Sequence, residues 1–177
     1  VIMPCFNDGI YIREAIDSAL NQTYKNIEII VVDDGSDDPI TKEIIGSLSH
    51  PQIKVFHSSH LRPAGARNYG IEQAEGKYIL PLDSDDKIEA TYIEKAVNIL
   101  ENNEKTGVVY CFADLFGEAS GRWDLPNYDF RTMLLDNIVF VTAMFYKSDW
   151  EKVGGFNTSM KYGMEDYDFW LSLLEIG

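Results

Sequence analysis

Cysteine is scarce in this chain. Only Cys5 and Cys111 occur among 177 residues, and both lie in apolar runs of strand-like composition. Two isolated thiols make neither a disulfide framework nor a cysteine-rich metal site. We therefore expect both cysteines to be buried, free thiols in a reducing compartment.

Long apolar runs are missing as well. The longest covers residues 138–146 and is interrupted by Thr142, whereas a helix needs roughly 20 apolar residues to cross a bilayer. No basic segment followed by an apolar stretch opens the chain, so no signal peptide is predicted. The sequence therefore predicts no transmembrane segment.

Positive charge is in short supply. Lys and Arg total 15 against 29 Asp and Glu, which gives a formal net charge of −14. A surface of that sign repels phosphate backbones and anionic lipids, so the charge disfavours nucleic acid as a partner. A phosphorylated ligand would need local arginines, helix N-termini or a divalent cation to bind here.

Two common phosphate-binding motifs are absent. No Gly-x-Gly-x-x-Gly occurs, so the dinucleotide-binding fingerprint is missing. Gly65 and Gly70 have the spacing of a P-loop, but Ile71 and Glu72 follow where Lys and Ser or Thr are required. Any phosphate site in this chain is therefore of another kind.

A regular alternation of strands and helices is present over residues 1–105. Short apolar runs at 1–3, 27–32, 53–56 and 78–82 alternate with helical spacing at 12–20, 39–48, 64–74 and 91–100. This order predicts an α/β fold with a mostly parallel, twisted sheet and helices on both faces. Residues 106–177 are more mixed, with strands predicted at 108–112 and 138–146 and a helix at 167–176.

The whole chain is interpreted as one domain. Residues 1–105 form its ligand-binding half and residues 106–177 a second half. Because the sequence opens without Met inside an apolar run and ends inside a helical pattern, we expect it to be a fragment of a longer chain.

Acidic turns follow two of the predicted strands. Asp33 and Asp34 end the second strand, and Asp83, Asp85 and Asp86 end the fourth. Parallel sheets bind ligands at the carboxyl ends of their strands, and carboxylate oxygens suit Mg²⁺ or Mn²⁺. The pattern favours a cation site at this edge.

Two arginines near the start of the third helix are candidate contacts for an anionic ligand. Arg62 and Arg67 are the only cationic side chains in that helix and its first turn. Each has an ordinary alternative, which is a solvated arginine on a helix surface.

Seven short sequence blocks follow one another along the chain. They are Val-Ile-Met-Pro-Cys-Phe-Asn at 1–7, Asn-Gln-Thr-Tyr at 21–24, Val-Asp-Asp-Gly-Ser-Asp at 32–37, Ala-Arg-Asn-Tyr-Gly at 66–70, Leu-Asp-Ser-Asp-Asp at 82–86, Gly-Gly-Phe at 154–156 and Glu-Asp-Tyr-Asp-Phe-Trp at 165–170. In order and spacing, these blocks resemble the family 2 glycosyltransferases. The resemblance implies a GT-A fold, a nucleotide-diphosphate sugar as donor, and transfer of the sugar to a hydroxyl acceptor with inversion.

The resemblance also implies roles for individual residues. Those on the donor side are Pro4, Phe6 and Asn7 at the nucleoside, Asp34 at the base, Arg67 and Asn68 beside the donor, and Asp83 at the ribose. For Mn²⁺ or Mg²⁺ the implied ligands are Asp85 and Asp83, with Asp86 as second choice. Asp166 matches the catalytic base, and Glu165 is the adjacent alternative.

Partners and location follow from the same resemblance. It implies a UDP-sugar as the favoured donor and a glycan or lipid-linked saccharide as acceptor, in polysaccharide biosynthesis. It implies a cytoplasmic enzyme, either free or peripheral at the inner face of the membrane.

Several alternatives remain open. A domain that binds a nucleotide-sugar but transfers nothing would have the same residues, and a Mg²⁺-binding receiver-like signalling module also has paired aspartates after a strand. An aspartyl phosphatase is weakened by Lys87, which stands where that motif requires Thr. His57 and His60 are interpreted as ordinary loop residues, and Trp123, Tyr128 and Phe130 as core residues, with an acceptor groove as the minor option.

Overall fold

Three short apolar runs form the centre of a parallel sheet in the computed structural model, which describes residues 1–176. They are β1 (Ile2–Cys5), β2 (Ile29–Asp33) and β3 (Ile53–His57), and β2 pairs in parallel with both neighbours. Ile2 aligns with Ile30, and Ile29 aligns with Ile53. Every residue of β2 is buried, as expected for a parallel strand covered on both faces.

Helices cover both faces of this sheet. Alternate strand residues point to opposite sides, and the two sides belong to different apolar clusters. One cluster joins Ile2, Ile30 and Val32 to α3 (Arg62–Gln73). The other joins Met3, Ile29 and Val31 to α1 (Gly9–Leu20) and α2 (Pro39–Gly46). The predicted α/β architecture is therefore confirmed.

The closeness of α3 to the sheet depends on Gly70. A Cβ atom at this position would lie 2.8 Å from a methyl carbon of Ile2 and 3.0 Å from one of Val32. Only glycine permits that approach. Gly70 therefore lets α3 pack closely on the sheet one helical turn after Arg67. Arg67 lies at the edge of the sheet where the parallel strands end.

The sheet continues on the other side of β1 and then becomes mixed. The Ile2 amide donates to the Leu80 carbonyl, and the Leu82 amide donates to the Ile2 carbonyl, both over 2.9 Å. The preceding residues form β4 (Tyr78–Ile79), which pairs with the antiparallel β8 (Met144–Tyr146). β8 pairs in turn with β5 (Val108–Val109), and α4 (Tyr92–Asn102) packs beside them.

The strand predicted over residues 138–146 is wrong for all but its last three residues. Residues 138–143 are irregular, and side chains bind their backbone in place of a strand ladder. The Trp170 indole N–H donates to the Val139 carbonyl over 2.8 Å, and the Tyr92 hydroxyl donates to the Thr142 carbonyl over 3.0 Å. Buried carbonyls satisfied in this way need no neighbouring strand.

The region between β5 and β8 is the most exposed. It contains the hairpin of β6 (Asp114–Leu115) and β7 (Gly121–Arg122) and the short helix α5 (Phe130–Met133). Four residues that we expected to be buried are exposed here, namely Cys111, Trp123, Tyr128 and Phe130. β5 ends at Val109, so the residues after it leave the sheet and several of their apolar side chains stay at the surface.

Two helices complete the fold, α6 (Lys147–Val153) and α7 (Glu165–Glu175). Phe169 and Trp170 of α7 are buried against Phe145 and Phe156, which confirms the helix predicted near the end of the chain and places one of its faces in the core. Within residues 1–176, no helix combines the length and apolarity that crossing a membrane requires.

Candidate active site

A cavity of about 390 Å³ lies at the carboxyl ends of the parallel strands. Residues that follow β1, β2 and the 80–82 segment meet there, because parallel strands end at the same edge of a sheet. Six of the predicted site residues line the cavity: Pro4, Phe6, Asp34, Arg67, Asp83 and Asp85. These six residues come from four separate sequence blocks, at 1–7, 32–37, 66–70 and 82–86, and contribute to one site.

The carboxylate of Asp34 shapes one wall. Its Oδ1 accepts hydrogen bonds from the Ser58 hydroxyl and the Leu61 amide, each over 2.6 Å, and its Oδ2 accepts one from the Arg62 amide over 2.7 Å. His60 and Arg62 have positive φ values of 56° and 66°, a backbone conformation that residues other than glycine rarely adopt. Asp34 thus holds a strained loop in place, and Oδ2 keeps one lone pair for a ligand.

Two aromatic rings stand at the mouth of the cavity. The ring centroids of Phe6 and His60 lie 4.6 Å apart, with a 59° angle between the planes, and both residues are exposed. A planar heterocycle can pack against such a pair. Our interpretation of His60 as an ordinary loop residue overlooked this position, because only the loop conformation brings the imidazole to Phe6.

The opposite wall is acidic. Asp8, Asp83 and Asp85 line it together with Ser84, whose hydroxyl donates to Asp8 Oδ2 over 3.2 Å. Burial and the charges of Asp85 and Asp83 raise the pKa of Asp8. Burial, followed by the charges of Asp83 and Asp85, raises the pKa of Asp86 to about 6. The carboxylates therefore repel one another across this wall.

Such a wall fits a hard divalent cation that shares its ligands with a substrate. No group of three or more His, Cys, Asp or Glu side chains within residues 1–176 is arranged to enclose a metal ion by itself. Mg²⁺ and Mn²⁺ are often held by one or two carboxylates and completed by phosphate oxygens. The mutual repulsion of the aspartates is the kind of charge that a cation relieves.

Arg67 connects this wall to the second half of the chain. Its Nη2 donates to Asp83 Oδ1 over 2.7 Å, and its Nη1 donates to Glu165 Oε1 over 2.6 Å. The side chain is only 4% exposed. Burial acts to lower the pKa of Arg67, but the charges of Asp83 and Glu165 outweigh it, and the net shift is upward. The arginine stays charged.

Two predicted donor residues lie away from the cavity. Asn7 receives hydrogen bonds on Oδ1 from the amides of Asp37 and Asp38, each over 3.0 Å, and so fixes the turn before α2. Asn68 Oδ1 accepts from the Trp150 indole over 3.0 Å and from the Phe156 amide over 2.8 Å. Asn7 thus binds the turn before α2, Asn68 binds α6 and the loop that follows it, and neither side chain lines the cavity.

The two candidates for the catalytic base, Glu165 and Asp166, are the first two residues of α7. They lie next to the cavity but are not among its lining residues. Glu165 is held by Arg67, and its side chain is 12% exposed. Asp166 is half-buried and accepts hydrogen bonds from its neighbour's amide, that of Tyr167, and from Asn137 Nδ2. The two carboxylates therefore differ in what binds them, a difference the sequence alone does not reveal.

Comparison with known proteins gives the family. The profile described as Glycosyl transferase family 2 matches residues 1–163. A glycosyltransferase of Haemophilus influenzae is 36% identical over 99% of this chain and 71% of its own length. One of Rickettsia typhi is also 36% identical over 99% of this chain, and the match spans 58% of that protein. Chondroitin synthase of Pasteurella multocida is 30% identical over the whole chain, which matches 19% of that protein.

Solved structures agree on the fold. S. aureus TarS in complex with UDP superposes with a TM-score of 0.73 at 25% identity, over 95% of this chain and 52% of that one. A mannosyltransferase from Pyrobaculum calidifontis, in complex with GDP-Man and Mn²⁺, gives a TM-score of 0.76 at 23% identity over 99% and 51%. Both have the GT-A fold. The chain therefore belongs to glycosyl transferase family 2.

Proposed function

We propose that this chain binds a nucleotide-diphosphate sugar with a divalent cation and transfers the sugar, with inversion, to a hydroxyl of a saccharide acceptor. The observation that supports this most strongly is the shared cavity. It joins an aromatic pair, a buried carboxylate and an acidic wall, and one buried arginine connects that wall to the opening of α7.

The nucleoside end of the donor is assigned to the wall of Phe6, His60 and Asp34. A base can pack against the two rings, and the remaining lone pair on Asp34 Oδ2 can accept a hydrogen bond from a base N–H. Uracil carries such an imide N–H. The UDP complex of TarS supports UDP as the favoured nucleotide, and the GDP-Man complex of the mannosyltransferase makes GDP the next to test.

The diphosphate end is assigned to Asp83 and Asp85, with Asp86 as a further candidate ligand. With a net charge of −14, the chain needs a cation to accept a diphosphate beside these aspartates. When bound, Mn²⁺ or Mg²⁺ supplies positive charge that stabilises the departing nucleoside diphosphate. Arg67 occupies Asp83 Oδ1 and leaves Oδ2 available. Mn²⁺ in the mannosyltransferase supports this choice of metal.

Asp166 is assigned the role of general base. The acceptor hydroxyl gives its proton to the Asp166 carboxylate while its oxygen forms a bond to the anomeric carbon. The bond from that carbon to the phosphate oxygen breaks, and the diphosphate leaves with the electron pair. Attack opposite the leaving group inverts the carbon. Glu165 is the weaker candidate, because a buried guanidinium already holds it.

A glycan or lipid-linked saccharide of a polysaccharide pathway is the proposed acceptor. Chondroitin synthase among the relatives supports this class. The exposed rings of Trp123 and Tyr128, in the half of the chain that carries Asp166, offer faces on which sugar rings can stack. Phe116, in the same region, lies beside the residues that follow the acidic wall in the chain, because the Lys87 ammonium lies 4.3 Å from its ring centroid.

The proposal is tested by a panel of nucleotide diphosphates and nucleotide-sugars in a thermal shift assay, with and without Mn²⁺. We expect UDP or a UDP-sugar to raise the melting temperature in the presence of Mn²⁺ and much less in its absence, since a ligand that binds only the folded state stabilises it. Nucleotide release with saccharide acceptors then separates a transferase from a domain that only binds donor. No stabilisation by any member of the panel would contradict the proposal.

A further inference from the structure

Both oxygens of the Asp166 carboxylate are anchored. Oδ1 accepts a hydrogen bond over 2.8 Å from the amide of Tyr167, its neighbour in α7. Oδ2 accepts one over 3.1 Å from Nδ2 of Asn137, which is 29 residues away in the chain. The first contact is local to the helix, whereas the second joins the helix to a separate segment. The carboxylate is therefore fixed in rotation and not only in place.

Asn137 itself is held by what surrounds it. Ile138 and Val139 follow it and are buried, and the Val139 carbonyl accepts the hydrogen bond of the Trp170 indole. Asp166 and Trp170 are four residues apart on α7 and so lie on the same face. One face of α7 therefore binds the segment 137–139 at two points. The amide of Asn137 is presented to Asp166 by a packed support.

The carbonyl oxygen of the Asn137 side chain, unlike its Nδ2, makes no hydrogen bond to the described residues. This atom, Oδ1, is buried. A buried acceptor left without a donor destabilises a fold, so an apolar side chain would suit this position better for stability alone. A catalytic role is one of the reasons for which native proteins keep such a group. The Nδ2 group is the only part of this side chain that serves a partner.

From these contacts we infer that Asn137 is a positioning residue for the general base: its Nδ2 holds Oδ2 of Asp166 in the orientation that accepts the proton of the acceptor hydroxyl. The inference rests on the proposed role of Asp166. Asn137 contacts no substrate in this assignment and acts through the carboxylate alone. Displacement of a reacting group by about 1 Å can reduce a rate 100-fold, so the orientation of Asp166 has a large effect on transfer.

The test compares Asn137→Ala with Asn137→Asp in the purified protein. Donor affinity is measured by calorimetry with UDP and Mn²⁺, and kcat with saturating donor and the best acceptor of a saccharide panel. We expect Asn137→Ala to lower kcat about 10- to 100-fold with donor affinity unchanged. Asn137→Asp has nearly the same shape but places a second carboxylate against Asp166, so we expect a larger loss.

The order of the two variants separates positioning from packing. If Asn137 only fills space, the kcat values should have the opposite order, with the isosteric Asn137→Asp close to the parent and Asn137→Ala lower. That order would overturn the inference, as would a kcat within twofold of the parent in Asn137→Ala. Loss of donor affinity in both variants would overturn it too, because the amide would then serve the fold as a whole.

Asp166→Asn, measured alongside, distinguishes this inference from the proposed function. If Asp166→Asn keeps the parent's turnover, the assignment of the base is wrong, and the role of Asn137 falls with it. If Asp166→Asn is inactive and Asn137→Ala is fully active, the proposed function stands and only the positioning role fails.

Discussion

The carboxylates of Asp83 and Glu165 come from opposite halves of the chain and accept hydrogen bonds from the same buried guanidinium, that of Arg67. One of these carboxylates belongs to the acidic wall, and the other stands beside the proposed base. A planar guanidinium can donate in two directions at once. The arginine thus fixes the distance between the donor side and the acceptor side of the site.

Replacement of Arg67 should therefore damage stability and donor binding together. We expect Arg67→Ala to lower the free energy of unfolding by about 3 kcal/mol or more, because two carboxylates lose their buried partner. Arg67→Lys should recover only part of this, since a single ammonium does not span both oxygens. Urea denaturation and calorimetry with UDP and Mn²⁺ measure the two effects. Arg131→Lys, at an exposed arginine of α5, is the matched control.

The outcome against this account would be an Arg67→Lys variant that unfolds at the same urea concentration as the parent and binds donor equally well. Arg67 would then contribute no more to stability and donor binding than an exposed arginine does, in spite of its burial.

The aromatic pair at the cavity mouth should determine the affinity for the base. Stacking of a base on an aromatic side chain contributes about 1–3 kcal/mol, so Phe6→Ala should weaken UDP binding about 10-fold or more. His60→Gly should have a similar effect, and glycine tolerates the positive φ of 56° at this position. The loss then reports the ring and not backbone strain. His50→Ala, at an exposed histidine, should leave UDP binding unchanged, and equal affinity in all three variants would contradict the assignment.

Asp86 should make the free protein less stable as pH rises. Burial and the charges of Asp83 and Asp85 raise its pKa in the folded state from the ordinary value of 3.8 to about 6. The folded state therefore holds the proton more tightly than the unfolded state. The stabilisation is fully present below the unfolded pKa and is lost as pH rises through about 6.

The variant Asp86→Asn checks this sign. It removes the charge, so without metal it should melt above the parent at pH 7.5, by about 2–4 °C for each kcal/mol relieved, and the difference should shrink at pH 4.5. Mn²⁺ should reduce the difference at pH 7.5, because the cation neutralises the same cluster. A difference that is independent of pH would contradict the assigned cause.

The two acidic residues that open α7 should have separate roles. Asp166→Asn should lower kcat by about 100-fold or more, the usual contribution of a general base, and leave donor affinity intact. Glu165→Gln should retain most turnover, because the amide oxygen can still accept a hydrogen bond from Arg67. The comparison of kcat with donor affinity in both variants measures this. If Glu165→Gln were inactive and Asp166→Asn active, the base would be Glu165.

The sequence was sufficient to predict the first half of the fold because local signals there agree with the tertiary structure. β-branched runs such as β2 and helix starts such as Pro39 fall where the pattern places them. The same signals predicted Asp83 and Asp85 of the acidic wall, since strand ends in a parallel sheet share one edge, but they did not predict Asp8. The sequence therefore predicted that Asp34, Asp83 and Asp85 lie at the same edge of the sheet.

The second half was predicted less well, for reasons that lie in tertiary contacts. Residues 138–143 are apolar like a strand, but Trp170 and Tyr92 bind their carbonyls, and no local pattern reveals such partners. Asn7 and Asn68 match the motifs but bind neighbouring loops. Asn137 carries no motif of its own, and only its contact with Asp166 draws attention to it.

Calorimetry on Asp85→Ala tests the central claim most directly, namely that the acidic wall accepts a nucleotide diphosphate through a divalent cation. The control is Asp17→Ala, which removes one exposed carboxylate from α1 and changes the net charge equally. We predict that Mn²⁺ tightens UDP binding to the parent and to Asp17→Ala and has no such effect on Asp85→Ala. Equal enhancement by Mn²⁺ in all three proteins would contradict the account.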